Sequence, residues 1–102
     1  SFVDLYDRVR PVIERLTVEH RGRDIVAVTH GGTIKVALAV ALGLPPQTAL
    51  SFQIENCSLT KLDHLQPEDA PGFWRIAAVN HRPWSKPVPL DAVGNRLAVD
   101  RA

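Results

Sequence analysis

The sequence predicts an α/β fold in which helices pack on a mixed, mostly parallel sheet. Two observations carry this. Ile25-Val26-Ala27-Val28 is an apolar run with no polar alternation, the pattern of a central parallel strand covered on both faces. It leads through Thr29-His30-Gly31-Gly32 into a second apolar segment of helical length, about Thr33 to Leu42.

The elements follow in order. Phe2, Leu5, Tyr6, Val9, Val12, Ile13 and Leu16 recur every three or four residues, with charged residues between them, and predict an amphipathic helix. Pro11 lies inside it. An interior proline costs about 3 kcal/mol, so a bend near Asp7 to Pro11, or a restart there, is expected. His20 to Asp24 forms the turn into the central strand. The helix after His30 is apolar nearly all round, with Lys35 its only charge, and should be buried. Gly43 caps it and Leu44-Pro45-Pro46 ends it. Leu50, Phe52 and Ile54 alternate with Ser51 and Gln53 and predict a strand with one core face. Glu55-Asn56 turns it into a partner strand, Cys57 to His64. Gln66 to Gly72 is a polar loop, Phe73 to Val79 another strand, and Ala92 to Arg101 a weak terminal helix.

Composition bounds the function. A chain of 102 residues is one domain or part of one and buries roughly 60–70% of its unfolded surface. With 45% hydrophobic and 23% charged residues it is an ordinary globular mixture, so disorder is not expected. A net charge of +1 argues against nucleic acid or an acidic membrane as partner. The longest apolar stretch, Val36 to Leu42, falls far short of the roughly 18–20 residues that span a bilayer. A single cysteine, Cys57, excludes an internal disulfide and leaves the redox compartment open, with a mild lean toward the cytoplasm. The first residue is Ser1, inside a predicted helix, and no signal peptide is evident.

His30 is the one residue whose setting suggests a reaction. It separates a buried strand from a helix N-terminus, where free N–H groups and the helix dipole favour an anion. Gly31 and Gly32 keep the backbone open to such an anion, and Thr33 and Ile34 supply the first free helix N–H groups. The plainer reading of His30 is a helix cap or a core histidine. Lys35 reads as a residue that snorkels or pairs with a carboxylate, Asn56 as a turn residue and Asn80 as a strand-end hydrogen-bonder. Cys57 reads as an inert core thiol, and Trp74 and Trp84 as packing anchors. His20, His64 and His81 have no metal-site spacing, so no metal is expected.

Val28-Thr29-His30-Gly31-Gly32-Thr33-Ile34-Lys35, with Arg8-Val9 in the helix before it and Leu42-Gly43-Leu44-Pro45 after it, resembles the second half of the histidine phosphatase family. Asn56-Cys57-Ser58-Leu59-Thr60-Lys61-Leu62 looks like the strand that follows there, and Trp74 to Asn80 like a late strand ending in Asn. The family includes phosphoglycerate mutases and small phosphomonoesterases. The resemblance, over roughly Ser1 to Asn80, implies a partial three-layer α/β/α fold of the phosphoglycerate mutase-like kind, lacking its N-terminal strand and motif. Residues 1–102 are then a single domain, the C-terminal portion of a histidine phosphatase domain.

The resemblance also implies a role for His30. The family's nucleophile is a histidine in an Arg-His-Gly motif after the first strand, and no such triplet occurs here; His20-Arg21-Gly22 has the order reversed. The residue matching His30 is the second active-site histidine, which hydrogen-bonds the transferring phosphoryl oxygens without attacking phosphorus. The intact parent is then a phosphatase or mutase working through a phosphohistidine, with no cofactor, and this chain alone is inactive. Its partners are a phosphorylated small molecule and the N-terminal half of its own domain, with no nucleic acid and no membrane; a homo-oligomer stays compatible. Hydrolase and isomerase directions are both left open, as is a non-catalytic anion-binding or interaction module, a pseudophosphatase. An α/β-hydrolase reading lacks its Gly-x-Ser-x-Gly elbow, two asparaginase-like threonine motifs overlap where they should lie apart, and no Gly-x-x-x-x-Gly-Lys phosphate loop is present.

Overall fold

The computed structural model describes residues 1–84, so the helix expected over Ala92 to Arg101 lies outside the described residues. The element order is α1 (Phe2–Glu19), α2 (Gly31–Leu42), a 3₁₀ helix (Pro46–Ser51), β1 (Leu59–Leu65) and β2 (Phe73–His81). Helices and a sheet are both present, as an α/β chain requires. The sheet differs from expectation: among the described residues it is one antiparallel pair, β1 with β2, and a mostly parallel three-layer arrangement is not formed.

Helix α1 starts at a capping box. The Ser1 hydroxyl accepts from Asp4 N–H at 3.3 Å, while the Asp4 carboxylate receives the N-terminal ammonium at 3.1 Å. Phe2, Leu5, Tyr6, Val9, Ile13 and Leu16 form its half-buried stripe, and Val12, placed on that stripe by its spacing, is 40% exposed. No restart occurs at Pro11; the helix continues through it. Pro11 faces solvent, so water can satisfy the Asp7 carbonyl that the missing N–H leaves free.

Helix α2 carries the core. Val36, Leu38 and Ala39 are buried on it, and Ala49 of the 3₁₀ helix is the remaining buried residue among those described. Burying a side chain such as Leu38 contributes about 1.5–3 kcal/mol. Gly43, at φ 64°, ends the helix as expected: its N–H reaches the Val40 carbonyl, and Leu44 N–H reaches the Ala39 carbonyl at 2.9 Å. No helix of the described residues is long and apolar enough to cross a membrane.

The two strands expected ahead of β1 are not formed. Residues 24–30 form no strand and have no ladder partner among the described residues, and Ile25, Val26 and Val28 are 49, 90 and 99% exposed. A parallel strand needs hydrogen-bonding neighbours, and β1 and β2 satisfy each other instead. Leu50 to Ile54 is not a strand either. Pro45 and Pro46 fix φ for a tight turn, Thr48 N–H bonds the Pro45 carbonyl at 3.0 Å, and Ala49 is buried by the 3₁₀ helix that results. Cys57 is corrected too: it sits exposed in the turn before β1 at φ 62°, not in the core. Trp84, expected to anchor packing, is 55% exposed.

From Leu62 to Leu65 the hairpin register is regular, with Asp63 opposite Arg75 and His64 opposite Trp74. Both pairs touch: Arg75 Nη2 lies 3.0 Å from Asp63 Oδ2, and the His64 and Trp74 rings meet edge-on at 4.9 Å. Trp74, Ile76 and Ala78 are half-buried while Phe73, Arg75 and Ala77 are exposed, the period-two pattern of a sheet with one covered face.

Candidate functional site

The start of α2 is the point at which the sequence concentrates its chemistry. His30 occupies the N-cap with φ −101° and ψ 161°, ordinary extended backbone, and its carbonyl accepts from Ile34 N–H at 3.2 Å. Its side chain makes no capping bond and is exposed, so neither a side-chain cap nor a core histidine describes it. Because Ile34 N–H is committed to that carbonyl, the free donors of the first turn are the N–H groups of Gly31, Gly32 and Thr33, a set that starts two positions earlier than expected. These donors, the positive helix end and an exposed imidazole together make a setting suited to an anion.

Three segments fix this helix start. A Cβ on Gly32 would lie 3.0 Å from Leu5 Cδ2 of α1, so that glycine allows the two helices to approach closely. A Cβ on Gly31 would lie 3.5 Å from the Ile54 carbonyl oxygen and 3.6 Å from its Cβ and Cγ2, which is ordinary contact. Gly31 therefore borders the extended Gln53–Glu55 segment without being required sterically. That segment is tied to the end of β2: Glu55 N–H donates to Asn80 Oδ1 at 2.8 Å, and Arg82 Nη1 meets Glu55 Oε2 at 3.0 Å. Gln53 Nε2 also donates to Glu55 Oε1 at 2.9 Å.

The remaining candidates separate clearly. Asn56 lies in the turn before β1, closed by Ser58 N–H on the Glu55 carbonyl at 3.2 Å, and Asn80 hydrogen-bonds backbone at a strand end; both match their expected roles. Lys35 is half-buried and forms no ion pair among the described residues. Glu55 and Arg82 were not singled out by sequence. They are 27 residues apart, and no local spacing rule reports a pair at that distance. A groove of about 280 Å³, lined by Glu14, Arg21, Val40, His64, Gln66 and Trp74, lies near the far end of α2. Val40 is about 14 Å along the helix axis from Gly31, so this groove is separate from the helix start.

The family model described as histidine phosphatase superfamily (branch 1) matches residues 1–80. The chain is 32% identical over 76 residues to a protein of Serratia proteamaculans named "Probable phosphoglycerate mutase GpmB", and 28% identical over 76 residues to one of the same name from Yersinia enterocolitica. In both cases the match covers 74% of this chain and 35% of the relative. The chain thus spans about a third of the length of the curated relatives that it matches. No solved structure matches it.

Proposed function

The chain belongs to the histidine phosphatase superfamily, and on that premise we propose that it forms the C-terminal portion of a phosphatase or phosphoglycerate mutase-like domain that transfers phosphoryl groups through a phosphohistidine. His30 is its second active-site histidine. Such a transition state spreads charge over the phosphoryl oxygens, so the protein's task beyond the nucleophile is to place donors around them. The His30 ring donates to one oxygen, adding positive charge when protonated, and the N–H groups of Gly31 and Gly32 meet the others. The observation that carries this reading is the exposed, non-capping His30 ring at the free N-terminus of α2.

The nucleophilic histidine and the carboxylic general acid come from an N-terminal half of the same domain, and this chain alone is inactive. Two facts support that division: the match covers 35% of the relatives' length, and Val26 and Val28 are 90 and 99% exposed on an apolar segment that forms no strand. An additional strand placed beside residues 24–30 would pair with that backbone and supply the parallel pairing that the described residues lack. The substrate is a phosphorylated small molecule, and the relatives' name makes phosphoglycerate the first to try. Neither cofactor nor metal takes part. The reaction belongs in the cytoplasm, where a lone thiol such as Cys57 stays reduced.

The test is made on the protein carrying both halves. His30→Ala should lower single-turnover rates by about 10²–10³, the cost of removing one transition-state donor, with an unchanged circular dichroism spectrum. A folded His30→Ala protein turning over at the wild-type rate would refute the assignment. Product analysis with phosphoglycerate distinguishes isomer formation from release of inorganic phosphate.

A further inference from the structure

We propose that Asn80 is a positioning residue that holds the Ile54–Glu55 backbone against the first turn of α2 and so sets the place of His30 and Gly31. The inference rests on the reading of that helix start as the phosphoryl site. It comes from an irregularity in the hairpin. The register runs Leu62↔Ile76, then Lys61↔Ala78, then Leu59↔His81, so β2 gains an extra residue at each of two steps as it nears its end. Bulges of this kind bend a strand and re-aim a side chain, and they recur beside functional sites.

Asn80 lies in the second shift at φ 53°, a left-handed conformation that Asn tolerates better than other residues with side chains. The irregular backbone directs its functional groups off the ladder. Asn80 N–H donates to Thr60 Oγ1 at 3.3 Å, and its Oδ1 accepts from Glu55 N–H at 2.8 Å, across 25 positions of sequence. Residues 53–55 belong to no strand, so no sheet ladder fixes them. The Asn80 bond replaces the missing ladder contact on Glu55. The preceding residue, Ile54, is the one whose atoms would lie 3.5–3.6 Å from a Cβ placed on Gly31. Two steps therefore link the strand end to the anion site: Asn80 to Glu55 by hydrogen bond, and Ile54 to Gly31 by close approach.

An Asn at positive φ has a simpler use, merely tolerating the bulge. Asn80→Gly keeps the backbone conformation and deletes the acceptor, whereas Asn80→Asp keeps an acceptor oxygen. In the ¹⁵N-labelled 102-residue chain, Asn80→Ala and Asn80→Gly should speed Glu55 amide exchange about tenfold, as expected for one lost hydrogen bond. They should also move the Gly31 and Gly32 amide and His30 ring resonances, with Asn80→Asp returning them toward wild type. Wild-type behaviour of Asn80→Gly would overturn the proposal. So would faster Glu55 exchange with Gly31 and His30 unmoved, and so would unfolding of both the Ala and Gly variants, which would make the residue purely structural. A separate titration of the wild-type chain with inorganic phosphate reads the anion site itself. Absence of Gly31 and Gly32 shifts there would refute the phosphoryl-site reading, while the positioning claim is decided by the phosphate-free spectra.

Discussion

At the residue scale, the two glycines after His30 serve different ends, and substitution should separate them. A Cβ at Gly31 meets only ordinary contacts, and alanine is favoured over glycine in a helix by up to about 1 kcal/mol. Gly31→Ala should leave the melting temperature unchanged or slightly raised. It should weaken phosphate binding, because the methyl group crowds the N–H groups of the first turn. A thermal melt and a phosphate titration on the same protein check both parts; a large loss of stability would make Gly31 a packing residue. Lys35 lies about one turn inside α2, and in the protein carrying both halves Lys35→Ala should cost much less turnover than His30→Ala. Equal losses in single-turnover kinetics would give Lys35 a direct role. His30, Asn56 and Asn80 were legible in the sequence because cap, turn and strand-end positions are set by near neighbours. The Glu55–Arg82 pair and the exposure of Cys57 were not, since both depend on where the 53–58 segment folds back.

At the element scale, α1 carries a defect that can be repaired. Pro11 is exposed within an otherwise regular helix and denies one backbone hydrogen bond. Pro11→Ala should therefore stabilise the chain by about 1–3 kcal/mol, read from denaturant unfolding followed by helical dichroism. The cap of the same helix gives a pH dependence. In the 102-residue chain taken by itself, hydrogen bonding from the N-terminal ammonium, then from the Ser1 hydroxyl, together with the ammonium charge, holds the Asp4 carboxyl below its ordinary 3.8. The folded value lies below the unfolded one, so this contribution is complete above the unfolded value and is lost as pH falls through the depressed one. In that isolated chain helix α1 should fray first at its N-terminus on acidification below about pH 4, seen as faster amide exchange there. In the hairpin, a Cβ on Gly72 would lie 2.6 Å from Gln66 Oε1 and 2.8 Å from His64 Cε1. Gln66 is exposed and can swing away, but the His64 ring is held against Trp74. Gly72→Ala should cost about 1–3 kcal/mol in a urea titration; no shift in midpoint would show that the hairpin end yields freely.

At the scale of the whole molecule, two expectations follow from the proposed division of the domain into halves. The 102-residue chain should not turn over a generic aryl phosphate, because donors without a nucleophile cannot form the covalent intermediate. Turnover abolished by His30→Ala would show the chemistry to be complete within it. The amides of Ile25 to Val28 should exchange at nearly unprotected rates in this chain and become protected when the N-terminal half is joined to it. The sequence by itself determined α1, α2 with its glycine cap, the Gln66 to Gly72 loop and the two strands flanking it. It also located His30 at a helix start. These follow from periodicity, capping and turn chemistry acting over a few residues. Only the tertiary structure decided that Ile25 to Val28 has no strand partner among the described residues, that Pro45 and Pro46 lead a 3₁₀ helix instead of a strand, and that Asn80 reaches Glu55. An apolar run records that a segment can be buried, but pairing in a sheet is made between segments distant in sequence. Whether a partner is there to pair with is a property of the assembled molecule.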